Sequence, residues 1–125
     1  MNQPCLLAFV NNSKFQAWLQ GIAESKKLDY YFARRGEQLS QLVKTYAAFM
    51  LVVDLTGADS EWLFRHISQI RSTNLEIGII AFASRLQEAT RERAQKYGCQ
   101  FVFTKSELIK NLPEVIETVL RRGLV

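Results

Sequence analysis

The chain has 125 residues and a formal net charge of +4, with 48% hydrophobic and 22% charged residues. That is the balance of one folded domain, which at this length buries roughly two-thirds of its unfolded surface. No apolar run approaches the ~20 residues of a membrane helix, two cysteines make no disulfide framework, and the opening MNQPCLLAFVNN lacks the basic stretch and cleavage site of a signal peptide. The expectation is a single cytoplasmic domain over residues 1–125, with Cys5 and Cys99 reduced.

In chain order, the first strand is the apolar run Cys5–Val10, followed by Asn11 and Asn12. Phe15, Trp18, Leu19 and Ile22 then fall at helical spacing, with Ser13 as the expected cap. Tyr30–Ala33 is a weaker strand, and Leu39, Leu42, Val43 and Tyr46 mark a second helix. The run Ala47–Val53 suits a strand buried on both faces. Trp62, Leu63, His66, Ile67 and Ile70 form a third helical stripe, capped by Asp59 or Ser60. Ile77–Phe82 is another buried strand. The helix between Arg85 and Tyr97 is strongly charged, offers only Leu86, Ala89, Ala94 and Tyr97 to a core, and stops at Gly98. Gln100–Thr104 completes the strands.

The last apolar stripe contains Leu108, Leu112, Val115, Ile116, Val119 and Leu120, and ends in Arg121 and Arg122, which suit a helix carboxyl end. Pro113 places the start of this helix near Asn111, with Ser106–Lys110 as a separate short turn. Strands and helices thus alternate, which predicts an α/β fold: a (βα)5, doubly wound, five-stranded parallel sheet covered on both faces by right-handed crossovers.

In such sheets chemistry gathers past the carboxyl ends of the strands. Those ends carry Asn11-Asn12, Asp54, Ala83-Ser84 and Lys105, a carboxylate and an ammonium at converging positions. The order resembles the receiver domain of two-component response regulators over essentially the whole chain, and implies the flavodoxin-like receiver fold. VVDLTG sets Asp54 at the family's phospho-acceptor position and FVFTKSE sets Lys105 at its lysine. Counting back from Lys105, the hydroxyl position falls on Ala83, or on Ser84 after a one-residue slip. The family's acidic metal pair is replaced by Asn11 and Asn12, and its aromatic switch position falls on Val102 between Phe101 and Phe103. The likeness is therefore to an atypical receiver, or pseudo-receiver.

Two amides keep oxygen ligands but remove two charges. Mg2+ prefers carboxylates in octahedral geometry, and even at an effective dielectric of about 20 each lost contact with a divalent ion removes several kcal/mol. With ~1.4 kcal/mol per tenfold in affinity, the expected site is metal-free or binds Mg2+ weakly through Asp54. No other cofactor is expected, phosphorylation is poor or absent, and Asp54 pairs with Lys105. A turn residue after a buried strand, a vestigial acceptor and a working acceptor remain three readings of Asp54. Asn11 and Asn12 read most simply as loop residues capping the next helix. His66 has no Cys or carboxylate partner at ligand spacing, and Trp18 and Trp62 suit packing.

The function expected is a receiver-like signal-transduction domain acting through protein–protein contacts, not an enzyme. The resemblance implies a histidine kinase or a downstream signalling protein as partner. It also implies a partner or homodimer surface on the fourth helix, fifth strand and fifth helix. A phosphorylatable single-domain response regulator using Asp54 and Mg2+ is the alternative. A small α/β nucleotide- or nucleic-acid-binding module is the competitor from another class. Against the latter, VNNSKF stands where a glycine-rich phosphate loop would. The arginines at 34, 35, 85, 91, 93, 121 and 122 are interspersed with Glu88, Glu92 and Glu117, as on a solvated helix surface.

Overall fold

The computed structural model describes residues 3–56 and 60–123. Strands β1 (Cys5–Phe9), β2 (Asp29–Phe32), β3 (Ala48–Asp54), β4 (Gly78–Ala83) and β5 (Phe101–Thr104) form one parallel sheet in the order β2-β1-β3-β4-β5. The helices between them are α1 (Ser13–Ser25), α2 (Leu39–Tyr46), α3 (Ser60–Thr73), α4 (Glu88–Lys96) and α5 (Lys105–Gly123), with a 3-10 turn at Gly36–Gln38 leading into α2. The α/β expectation holds, with each strand end moved by at most one residue.

Period-two alternation divides the strands between two apolar layers. Leu6, Ala8, Met50, Val52, Ile80 and Phe82 face α1 and α5, while Leu7, Leu51, Val53, Ile79 and Ala81 face α2, α3 and α4. The runs that read as continuously apolar do so because both faces are covered. Among the described residues no helix is long and apolar enough to cross a membrane.

Local chemistry explains where the helices start and stop. Asn12, not Ser13, caps α1: its Oδ1 accepts from the Phe15 N–H at 3.0 Å, and Ser13 is already helical. Asp59 lies outside the described residues. Two helices end on left-handed residues that are not glycine, Lys27 (φ 58°) after α1 and Ala47 (φ 48°) after α2. Ala47 therefore belongs to the turn and β3 begins at Ala48. The carboxyl end of α4 is closed by paired bonds, Gly98 N–H to Gln95 O and Cys99 N–H to Ala94 O, with Gly98 at φ 120°.

Two side-chain expectations change: Tyr46 is 42% exposed and stacks on Tyr31 instead of entering the core, and Ala89 faces solvent. Phe64, outside the expected stripe, is fully buried. Trp62 covers Gly36, where a Cβ would collide with its ring, and His66 sits edge-on to Trp62 with centroids 4.8 Å apart.

The largest correction concerns α5, one helix from Lys105 with Pro113 inside it, not a turn followed by a helix from Asn111. Thr104 and Glu107 cap it reciprocally: the Thr104 N–H donates to Glu107 Oε1 at 2.8 Å and the Glu107 N–H to Thr104 Oγ1 at 3.2 Å. An interior proline costs about 3 kcal/mol. Leu108, fully buried, returns ~1.5–3 kcal/mol when the helix starts early enough to place it, and the reciprocal cap adds about 1 kcal/mol. Burial and the cap together offset the missing hydrogen bond.

Candidate functional site

The carboxyl ends of β1, β3, β4 and β5 open onto a cleft of about 330 Å³, lined by Asn11, Asn12, Phe15, Asp54, Thr56, Phe82, Ser84 and Lys105. It lies beside the β1–β3 neighbourhood where the strand order reverses, the usual position for ligands in an open parallel sheet. Phe15 and Phe82 stack at 4.8 Å and form its apolar wall. The Leu55 N–H donates to Phe82 O at 2.8 Å, fixing the chain just after β3 against β4. Asp54 Oδ1 accepts from the Thr56 N–H at 2.8 Å, and Thr56 Oγ1 accepts from the Ser84 N–H at 3.2 Å. A short relay of polar contacts thus links the loop after β3 to the loop after β4.

Of the residues singled out in the sequence, Asn11, Asn12, Asp54, Ser84 and Lys105 line this cleft together. Ala83 does not. It is buried in the layer facing α2–α4 and borders a neighbouring depression with Thr56, Arg85 and Thr90. Asn12 spends its Oδ1 on the α1 cap, so its amide is part-committed to structure. Asp54 and Lys105 do not pair: among the described residues the ammonium has no ion-pair partner, and it lies 5.3 Å from the centroid of the Phe15 ring. A cation over an aromatic face near the surface is held by ~0.5–1 kcal/mol, comparable to an exposed ion pair, so the ring can hold the lysine instead.

Sequence reading missed four contributors. Thr56 follows Asp54 by two residues, the spacing at which an Asp side chain caps its own backbone, and was legible as an Asx turn. The Thr104-to-Glu107 capping pair was also legible, as T-x-x-E before an apolar run. Arg71 and Arg91 were not. The Arg71 fork donates to Gly98 O at 3.1 and 2.9 Å and to Leu75 O at 3.0 Å. Arg91 donates to Val102 O at 2.6 Å. Nothing in a single sequence marks which surface-type arginine will reach a main-chain carbonyl on another element. Those contacts also divide the arginines among separate tasks: Arg93 pairs with Glu61 on α3, and Arg35 lies 3.5 Å from Glu37.

No protein-family model matches the chain, and no curated protein matches it. Solved structures do. A response regulator from Thermotoga maritima aligns with a TM-score of 0.81 at 12% identity, covering 95% of this chain and 98% of that one. The signal receiver domain of a DNA-binding response regulator from Colwellia psychrerythraea 34H gives 0.79 at 20% identity, covering 94% and 98%. A CheY-like protein (tadZ) from Pseudomonas aeruginosa PAO1 gives 0.79 at 18% identity, covering 93% and 98%. The chain has the receiver-domain fold. In that fold the cleft described above occupies the carboxyl edge of the sheet, and α4, β5 and α5 form one continuous side of the molecule.

Proposed function

We propose that this chain is a receiver-type signalling domain that acts through protein–protein contacts, with Asp54 at the acceptor position of a degenerate phosphorylation site and Lys105 at the phosphate-lysine position. The observation carrying this reading is the cleft's donor set. Among the described residues Asp54 is the one carboxylate lining it, and Asn11 and Asn12 stand as amides where an acidic pair would hold a metal. One Asp54 oxygen already accepts the Thr56 N–H, and the Asn12 oxygen accepts the Phe15 N–H. Mg2+ demands hard oxygens in octahedral array, usually waters plus one or two carboxylates with oxygens free to ligate. This set is a poor fit, and no chemical step is assigned to the metal.

Phosphoryl transfer to a carboxylate depends on positioning and on cationic stabilisation of charge. With Lys105 over Phe15 and little capacity for Mg2+, the cleft does not support phosphoryl transfer. The output is then carried by the α4–β5–α5 side, through a kinase or downstream signalling protein or through a second copy of the chain.

Intact mass after incubation with acetyl phosphate and Mg2+, with Asp54→Asn as control, tests the reading. No mass gain at any Mg2+ concentration is expected. A gain of one phosphoryl group on Asp54, absent from the control, would show a working response regulator for which Asn11 and Asn12 suffice.

A further inference from the structure

Arg91 lies in the middle of α4, yet its guanidinium serves three elements. Nη1 donates to the main-chain Val102 O of β5 at 2.6 Å, Nη2 lies 3.8 Å from Glu107 in the first turn of α5, and Nε lies 3.8 Å from Glu88 one turn back on α4. The side chain is 30% exposed, so its aliphatic stem is packed while the planar head is held at several donor positions. Glu107 is itself fixed by the reciprocal cap with Thr104, the last residue of β5. The network therefore closes on itself, from α4 to β5 to the start of α5 and back. Val102, whose carbonyl Arg91 holds, is buried in the layer facing α2–α4 and pairs with Ala81 of β4. Nothing bulky at that position can swing between a buried and an exposed state.

We propose that Arg91 is a clamp that holds α4 against β5 and the first turn of α5 in one arrangement, so that this face keeps the same shape whatever the state of the Asp54 carboxylate. The inference deepens the receiver reading and rests on it for the face's use, but not for its rigidity. A surface can be switched only if two arrangements lie close enough in free energy for a distant event to tip them. A charge-assisted bond to a main-chain carbonyl, with two carboxylates beside it, widens the gap between such arrangements.

Backbone amide NMR of the full chain tests the clamp, with Asp54→Asn as the perturbation of the cleft. Arg91→Met keeps the packed stem and removes the donors, Arg91→Ala removes both, and Arg93→Ala on the same helix is the control. With Arg91 in place, Asp54→Asn is expected to leave the amide shifts of 88–96 and 101–104 unmoved. In Arg91→Met the same change displaces them, and hydrogen exchange of α4 amides speeds at least tenfold while β1 and β3 are unaffected. Displacement in the Arg91 protein would overturn the clamp, as would no displacement in either background or a uniform loss of protection across the sheet. None of these outcomes bears on whether Asp54 is phosphorylated, which the mass experiment decides separately.

Discussion

Gly78 opens β4, an interior strand between β3 and β5, with no room above it. A Cβ built there would lie 2.9 and 3.0 Å from the two Val119 methyls and 3.5 Å from the Val119 Cβ. Val119 is buried on α5, so neither the helix nor the strand can yield cheaply. Gly78→Ala is expected to destabilise the fold. Overpacking costs ~1–3 kcal/mol, offset by the ~0.4–1 kcal/mol that losing a glycine removes from unfolded-chain entropy. The net is about 1–2 kcal/mol.

Val119→Ala alone costs about 2–3 kcal/mol, two methyl groups at ~0.8 kcal/mol each plus the cavity left behind. In that background the clashing methyls are gone and only the 3.5 Å contact with the residue-119 Cβ remains, an ordinary van der Waals distance. Gly78→Ala should then change sign and stabilise by up to ~1 kcal/mol. Urea unfolding of the four proteins at constant m reads the cycle directly, and a coupling of about 1.5–3 kcal/mol is expected. If Gly78→Ala costs the same in both backgrounds, Val119 is not what fills the space over β4, and the packing of α5 on the sheet is wrong.

Restoring acidity to the cleft should restore metal affinity. Asn11→Asp with Asn12→Asp keeps the α1 cap, since Asp and Asn cap equally well, and should tighten Mg2+ binding tenfold or more. The readout is the fluorescence of Trp18, which meets the cleft residue Phe15 edge-on at 5.1 Å; unchanged affinity would mean that these side chains do not converge on one ion. Ala47→Gly, at an exposed left-handed helix end, should raise stability by ~0.5–1 kcal/mol in chemical denaturation, and a loss would refute the assigned backbone conformation.

Burial pushes the Cys99 thiol from 9.0 up to about 12. Its contribution is fully present below pH 9 and is lost as pH rises toward the folded value, because only the unfolded chain ionises in that window. The loss is about 1.4 kcal/mol by pH 10. Denaturation in reductant between pH 8 and 10 should show that slope, and Cys99→Ala should flatten it. An identical slope in the variant would place the titration elsewhere; Cys5, raised in the same direction by burial, is the next group to replace.

Hydrophobic periodicity determined the alternation of strands and helices, because a strand covered on both faces must be apolar at every position and a covering helix at every third or fourth. Asp54 and Lys105 were legible for a related reason: the carboxyl ends of parallel strands converge, so polar residues just past apolar runs become neighbours. What the side chains do there was settled by competition in three dimensions. Lys105 could meet a carboxylate or a ring, and the ring of Phe15, brought under it by α1, holds it.

Pro113 read as a boundary because local propensity opposes it. The helix runs through because burying Leu108 and closing the Thr104–Glu107 cap together offset what the missing N–H loses. Arg91 and Arg71 were opaque for a deeper reason. A long charged side chain carries no periodic signal, and its partner is a main-chain carbonyl that every residue possesses. Only the folding of α4 over β5 and of α3 beside Gly98 selects which carbonyl is reached.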